Sequence, residues 1–370
     1  NIPTDVTNMM QESGLSSAEF ERLRGTLRQR HGTADHNRIE GEVRIPAPGD
    51  LGILPDCEAR AALHSEGLAS IQRGEVGLVV LNGGMATRFG GVVKGTVNVS
   101  AEYSFLGLKI LDALRVARAA GGEPFPILFM NSRATSQDTQ NHLEANNWFG
   151  YPPDKIWHFE QCWSARLTLS GNLYLDSNGR PSFHGPGHGD LPHCLRRSGL
   201  LDRFSGQGGL TLLMSNVDNA VATMDPAILG WHNRRSEPIT AEMAPQIAQD
   251  KGGIPLWVDD HLQIVEAFRV PPSVTSDTVG VLNTNTLWMD IEVLAAERAL
   301  DWFTVKKRVG DHDVIQFERL IGQLTAFFPT AFLRIPRKGA DTRFVPIKTP
   351  HDLEANAASL LHSWQSRVVL

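Results

Sequence analysis

The sequence predicts an α/β fold with a mixed, largely parallel central sheet and a smaller antiparallel sheet. Short apolar runs typical of buried strands alternate with amphipathic helical segments over residues 57–216. Polar or glycine-rich loops follow several of these strands, at the ends where parallel sheets carry their functional groups. Further short strand-like segments crowd between residues 238 and 290 without intervening helices, which favours antiparallel pairing there.

The elements follow in order along the chain. Ser16 and Glu19 form a capping box that opens an amphipathic helix, and a stretch with three prolines at 40–55 predicts a linker. We therefore divide the chain into an N-terminal helical arm and linker, 1–55, and a main domain, 56–370. The predicted helices of the main domain lie at about 57–72, 105–119 and 136–146. Its predicted strands lie at 76–81, 125–131, 155–161, 209–216, 237–244, 262–268 and 279–289.

Composition excludes several classes of protein. The chain has 370 residues, 41% hydrophobic and 21% charged, as in soluble globular proteins. Its net charge of -6 argues against a nucleic-acid partner, and no apolar run approaches the length of a membrane span. Cys57, Cys162 and Cys194 are widely separated, and the polar start lacks a signal-peptide core. We expect three buried free thiols and a reducing, cytoplasmic location.

The stretch LNGGMATRFGGVVKG, residues 81–95, follows a buried strand and contains five glycines. It fits neither the dinucleotide fingerprint nor the Walker pattern. Loop amides bind phosphate oxygens, and glycines let the backbone approach a ligand. Arg88 offers a planar fork for phosphate, while Lys94 offers a mobile point charge. The loop predicts an anion site, with a purely structural strand-to-helix turn as the alternative.

The same loop resembles the signature loop of the UTP–sugar-1-phosphate uridylyltransferases, the UDP-glucose pyrophosphorylase family. The similarity continues in family order to residue 353. The matching motifs are LFMNS (128–132), FEQ (159–161), GPGHGDL (185–191), MSNVDNAVATMDP (214–226), KGG (251–253), VEAFRVP (265–271), VLNTNTLWM (281–289), VIQFE (314–318) and FVPIKTPHDL (344–353). The resemblance implies a Rossmann-like nucleotidyltransferase domain, with its sugar-side subdomain at roughly 236–350.

The implied reaction is Mg²⁺-dependent. UTP and a sugar 1-phosphate, glucose 1-phosphate or a related sugar or cyclitol phosphate, yield a UDP-sugar and pyrophosphate. Such in-line transfer depends on positioning and on charge neutralisation. The resemblance implies catalytic roles for Arg88 and Lys94 on the triphosphate and for Lys348 on the sugar phosphate. It implies nucleotide binding by Leu81, Asn82, Gly83, Gly84, Gln161, Gly187 and Asp218, and sugar binding by His188, Asn216, Glu266, Asn283 and Asn285.

Two of these implied roles depend on specific chemistry. Gln161 would read the uracil edge, because an amide both donates and accepts hydrogen bonds. Asp218 would hold Mg²⁺, since carboxylates at strand ends suit that hard cation. The structural alternatives are a loop hydrogen bond for Gln161, an Asx turn or helix cap for Asp218, and a solvated surface lysine for Lys348. The histidines of FHGPGHGDLPH, with Asp190, match no standard zinc spacing.

The sequence also departs from the family pattern. Ala86 and Val93 stand where a glycine and a proline are common, and Thr286 stands where eukaryotic glucose enzymes often have asparagine. The chain stops at Leu370, as a short form without the C-terminal β-helix domain would, so whether the protein forms a homo-oligomer stays open.

A catalytically silent nucleotide-sugar binding homologue is the main alternative. A UDP-sugar-dependent glycosyltransferase is disfavoured, because Asp218-Asn219 replaces the D-x-D usual at that position.

Overall fold

The computed structural model describes residues 2–29, 37–247, 250, 252–274 and 279–366; the KGG motif begins at Lys251, outside these residues. The helices are α1 (Thr4–Glu12), α2 (Ser17–Gln29), α3 (Cys57–Gln72), α4 (Phe105–Ala119), α5 (Ser136–Ala145), α6 (Leu191–Arg197), α7 (Leu200–Gly206), α8 (Pro226–Asn233), α9 (Ile291–Ala295) and α10 (Pro350–Ser366). No helix in these ranges combines the length and apolar character that crossing a bilayer requires.

The strands are β1 (Val43–Arg44), β2 (Gly52–Ile53), β3 (Val76–Leu81), β4 (Met85–Ala86), β5 (Val92–Val93), β6 (Ile127–Asn131), β7 (Ile156–Glu160), β8 (Ser164–Ala165), β9 (Phe183–His184), β10 (Thr211–Asn216), β11 (Ile239–Pro245), β12 (Ile254–Val258), β13 (His261–Val265), β14 (Val281–Asp290), β15 (Phe303–Val309), β16 (His312–Glu318) and β17 (Thr330–Arg334). Eight of them form the central sheet, in the order β2-β17-β11-β14-β10-β3-β6-β7. Within that sheet β14 runs antiparallel to both neighbours, and the other pairs are parallel. This confirms the mixed, largely parallel sheet.

The central sheet is buried on both faces, which explains why its strands are continuous apolar runs. Along β3, Val76, Leu78 and Val80 face a core formed with α3, α4, α8 and α10. Val79 faces the opposite core, formed with α6, α7 and α9. In the paired register Asn216 lies beside Leu81, and Leu81 lies beside Met130. The carboxyl ends of β3, β6 and β10 therefore meet at one edge.

Smaller antiparallel pairs surround this sheet. β12 pairs with β1 on one side and β13 on the other in a three-stranded sheet, whereas β11 and β14, from the same crowded region, extend the central one. The helices α1 and α2 pack against β16, and the Glu19 N–H donates to Ser16 Oγ at 3.2 Å, which confirms one half of the capping box. The division at residue 55 stays a prediction; β1 and β2 lie before it and pair with strands beyond it.

The cysteine expectation is wrong at one position. Cys162 and Cys194 are buried and free, as expected, but Cys57 is exposed. It is the first residue of α3, where the chain enters the helix from the linker. A residue at a helix start faces solvent more readily than one in the middle of a packed face.

Candidate active site

A pocket of about 670 Å³ opens at the carboxyl ends of β3, β6, β7 and β10. Parallel strands present these ends at one edge, which is where α/β folds bind ligands. The pocket is lined by Leu81, Gly83, Gly84, Met85, Lys94, Met130, Ser132, Arg133, Ala134, Gln161, Trp163, Arg166, Phe183, His184, Gly185, Gly187, His188, Asn216, Val217, Asp218 and Gln316. Nine of the implied site residues are in this set, so the pocket brings together most of the predicted site.

The glycine loop folds back on itself as a short hairpin, with Arg88 at its tip and Lys94 directly after its second strand. β4 and β5 pair as a short hairpin, and the Lys94 N–H then donates to the Gly84 carbonyl at 3.3 Å. Lys94 enters the pocket and forms an ion pair with Asp218. Arg88 lies exposed at the hairpin tip and is not among the pocket residues. The structure therefore places only Lys94 in the pocket lining, although the resemblance implies that both cations contact the triphosphate.

Asp218 follows β10 in a turn that is fixed from both sides. The Val217 N–H donates to the Leu81 carbonyl, and the Ile347 N–H donates to the Asp218 carbonyl, each at 3.2 Å. The Lys94 and Asp218 side chains are 17% and 16% exposed, so their charges are partly shielded from water yet open to the pocket. A carboxylate in such a position can be reached by a bound phosphate and by a cation.

The donor set around Asp218 fits Mg²⁺. This hard cation typically takes one or two carboxylates and completes its shell with phosphate oxygens and water. Asp218 already attracts one cation, Lys94. Among the described residues, a second group of potential ligands is Cys162, Asp190 and Cys194, with ligand atoms within 4.8 Å of one another. That group is buried and sulfur-rich, and Arg319 pairs with its carboxylate, so it does not fit Mg²⁺.

The Gln161 amide occupies a slot between two glycines. The Gln161 backbone N–H donates to the Asn131 carbonyl at 2.8 Å, which sets the side chain at the end of β7. A Cβ on Gly83 would lie 2.7 Å from Nε2 of Gln161, and a Cβ on Gly185 would lie 2.3 Å from the same atom. Gly83 and Gly185 therefore leave room for the amide in this position, whereas a Cβ on Gly84 would meet nothing within 4 Å.

The histidine loop is tied to the segment that follows β16. Gly187 has φ +88°, a conformation that glycine adopts without strain. The Ile321 N–H donates to His188 Nδ1 at 3.0 Å, so the neutral ring carries its proton on Nε2. Burial lowers the pKa of His188 to about 4 and keeps it neutral near pH 7. Asp190 accepts from the Cys162 N–H at 2.7 Å and pairs with Arg319, which fixes the loop.

Four of the five predicted sugar-binding residues form a row that begins in the pocket, and the fifth, His188, lines the pocket itself. Asn285 Nδ2 donates to Asn216 Oδ1 at 2.9 Å, and the Asn285 N–H donates to Asn283 Oδ1 at 3.0 Å. The Asn283 N–H donates to the Gly253 carbonyl at 2.8 Å, and a Cβ on Gly253 would lie 3.2 Å from Glu266 Oε1. Burial raises the pKa of Glu266 to about 7. Asn216 lines the pocket, and the other three predicted residues do not.

Two further predicted residues lie outside the pocket lining. Asn82 is fully buried, and its Nδ2 donates to Asn131 Oδ1 and to Thr139 Oγ1, each at 2.8 Å. It supports the base of the glycine loop from beneath. Lys348 is exposed, directly after Ile347, which bonds to the Asp218 backbone. Its backbone N–H donates to Asp352 Oδ2 at 2.9 Å.

Sequence reasoning missed several pocket residues, above all Arg133 and Arg166. The Arg133 guanidinium lies 5.2 Å from the ring centroid of Trp163. Arg166 donates to Ser182 Oγ at 3.0 Å and to the Phe183 carbonyl, and burial lowers its pKa. With Lys94 they give the lining three cationic side chains against one carboxylate. Arg133 directly follows the strand-end motif LFMNS, a signal that could have found it.

The sheet, the glycine loop and the Lys94–Asp218 pair define an α/β protein of the nucleotidyltransferase fold. Solved structures share this fold. The uridine diphosphate N-acetylglucosamine pyrophosphorylase of Trypanosoma brucei matches with a TM-score of 0.75 and 17% identity, covering 97% of this chain and 80% of that one. A UDP-glucose pyrophosphorylase mutant of Leishmania major matches with a TM-score of 0.71 and 21% identity, covering 95% and 77%.

The chain belongs to the UTP–glucose-1-phosphate uridylyltransferase family, whose model matches residues 58–369. Similar relatives carry that name. The Hordeum vulgare protein is 30% identical over 74% of this chain and 59% of its own length. The Encephalitozoon cuniculi protein is 28% identical over 75% of this chain and 57% of its own. The chain thus matches less than two thirds of the length of these relatives.

Proposed function

We propose that the chain transfers a uridylyl group from UTP to a sugar 1-phosphate. An oxygen of the sugar phosphate attacks the α-phosphorus in line, and the bond from that phosphorus to the pyrophosphate oxygen breaks. The observation that carries the proposal is the ion pair of Lys94 and Asp218, which come from two strand ends and meet in the pocket beside the glycine loop. Membership of the family supports the same reaction.

The pocket residues divide between the two substrates. Lys94 neutralises charge on the triphosphate, with Arg133 and Arg166 as further cations of the lining. Gln161 pairs with the edge of the base. Asp218 holds Mg²⁺, which when bound supplies further positive charge at the phosphates. Arg88 and Lys348, exposed in this structure, remain predictions as phosphate contacts.

The sugar side begins at Asn216 and extends through Asn285 and Asn283 towards Glu266. Paired amide and carboxylate groups suit vicinal hydroxyls, and glucose 1-phosphate is the first acceptor to test.

We place the reaction in the cytoplasm, in keeping with three free cysteines. A homo-oligomer stays a prediction.

The test is pyrophosphate release with Mg²⁺, for four nucleoside triphosphates crossed with a panel of acceptors. The panel contains glucose 1-phosphate, N-acetylglucosamine 1-phosphate and a cyclitol phosphate. We expect release with UTP and one acceptor, reduced about 100-fold or more in Asp218→Asn. Asp202→Asn, at an exposed position, is the matched control. UTP binding without release for any acceptor would contradict the proposal and favour the catalytically silent homologue.

A further inference from the structure

Lys109 is buried in the second turn of α4, 1% exposed, and it is not among the pocket residues. Its Nζ donates to Ser215 Oγ at 2.9 Å and to the Ala222 carbonyl at 2.7 Å. Ser215 precedes Asp218 by three positions, and Ala222 follows it by four. One ammonium group therefore joins both ends of the loop that presents the pocket carboxylate.

Burying this amine costs free energy unless hydrogen bonds within the protein replace those it would make with water. Burial lowers the pKa of Lys109 to about 7, against the attraction of Asp112 and Asp218. An aliphatic side chain of similar length would fill the same space without that cost. The two hydrogen bonds to the ends of the loop therefore explain why a lysine, and not an aliphatic residue, occupies this buried position.

The same helix is tied to the segment that carries Lys94. The Val97 N–H donates to the Lys94 carbonyl at 3.2 Å, and the Phe105 N–H, at the start of α4, donates to the Val97 carbonyl at 3.1 Å. Backbone hydrogen bonds thus fix Lys94 to one end of α4, and Lys109 fixes the Asp218 loop one turn later. Both members of the pocket ion pair take their position from this helix.

We propose that Lys109 is a positioning residue that holds the Asp218 loop in register with Lys94. Its effect on turnover rests on the proposed function, but its effect on the loop does not. The amides of Val217, Asn219 and Ala222 are hydrogen-bonded within or beside the loop and report on its order.

The first test is hydrogen exchange of the loop amides at 217–222, without nucleotide or metal. Lys109→Met removes the donor at similar side-chain length, and we expect at least tenfold faster exchange there, with β3 unchanged. Ser215→Ala removes one contact and should give a smaller increase. Ser70→Ala, another buried serine that accepts side-chain hydrogen bonds, should leave the loop unchanged. Equal loop exchange in wild type and Lys109→Met would overturn the proposal; if that variant does not fold, Ser215→Ala decides in the same way.

The second test is steady-state kinetics of the same variants. Lys109→Met should lower kcat and raise the Mg²⁺ concentration for half-maximal turnover about tenfold, with KM for the sugar phosphate unchanged. Lys109→Arg, which keeps donors, should recover part of the loss. Faster loop exchange with unchanged kinetics would overturn the link to Asp218. Absence of turnover in the wild type would instead refute the proposed function, and the exchange data would still decide the role of Lys109 in the loop.

Discussion

Gly185→Ala tests whether the Gln161 amide must remain in its slot. The added Cβ would lie 2.3 Å from Nε2, 2.4 Å from Cδ and 2.5 Å from Oε1 of Gln161, whereas real contacts essentially never fall below 3.0 Å. The amide must move by roughly 0.7 Å or more, and Gly83 closes the opposite side of the slot. The backbone at Gly185 does not have the positive φ that would exclude alanine, so the fold should be retained.

The magnitude follows from the hydrogen bonds that we propose the Gln161 amide makes to the base. Two neutral hydrogen bonds contribute about 0.5–1.5 kcal/mol each, or about 1–3 kcal/mol together. At about 1.4 kcal/mol per factor of ten, this is a loss of roughly 5- to 150-fold in kcat/KM for UTP. Discrimination between UTP and CTP should fall with it, because the proposed role of the amide is to recognise the base.

The assay is pyrophosphate release with UTP and with CTP. Gly49→Ala is the matched control, since a Cβ there would meet nothing within 4 Å. Gln161→Ala should reproduce the loss, and the double variant of Gly185 and Gln161 should add nothing to it. A folded Gly185→Ala protein with unchanged kcat/KM and unchanged base discrimination would refute the reasoning.

Three further outcomes are expected. Lys94→Met removes the cation paired with Asp218 and should lower kcat by roughly 10²–10³-fold, with little change in Tm, measured by pyrophosphate release and thermal unfolding. In the wild type, KM for the sugar phosphate should fall as pH rises through about 7, because the buried Glu266 carboxyl ionises there and accepts stronger hydrogen bonds. Glu266→Gln should abolish this fall. Arg319→Met leaves a buried carboxylate unpaired and should cost about 3–5 kcal/mol in urea unfolding.

Two of these predictions have a control variant, and the third, for Glu266→Gln, has a second measurement. Lys338→Met, at an exposed lysine, should turn over normally. Burial holds the folded-state pKa of Glu266 above its usual 4.5, so its stabilising contribution is lost as pH rises through about 7. The wild type therefore loses stability as pH rises from about 4.5 to about 7, and Glu266→Gln should gain stability relative to it over that range; parallel pH profiles would contradict this. Arg22→Met, which breaks an exposed pair, should cost under about 1 kcal/mol; an equal cost for Arg319→Met would contradict the burial argument.

The strands of the central sheet were largely predictable because a strand buried on both faces is a continuous apolar run. The predicted strand 76–81 coincides with β3, and the predicted strand 209–216 contains β10, which begins two residues later. Strand partners were not predictable, since β11 and β13 have similar apolar content but pair differently. β11 pairs with β14 and β17, which lie far along the chain, whereas β13 pairs with the preceding strand β12. The helix α1 was not predicted because it buries two apolar residues, Val6 and Met10.

The site was predictable where side chains follow parallel strands. Gln161 and Asp218 follow β7 and β10 and converge on one pocket, as strand-end geometry requires, and the antiparallel β4–β5 hairpin brings Lys94 to the same pocket. The position of Arg88 was not predictable from spacing, because a loop that pairs with itself directs its tip away from its base. Isolated arginines such as Arg166 resemble solvated surface residues in sequence, and the fold brings this one into the pocket wall.

The first 55 residues have a consequence for any shortened version of the protein. β1 covers one side of β12, and β2 covers the outer side of β17. A fragment beginning at residue 56 would leave two sheet margins with unpaired N–H and C=O groups, which are templates for association between copies. Two very short strands thus cover these margins, and a fragment that lacks them is expected to associate and to be less soluble.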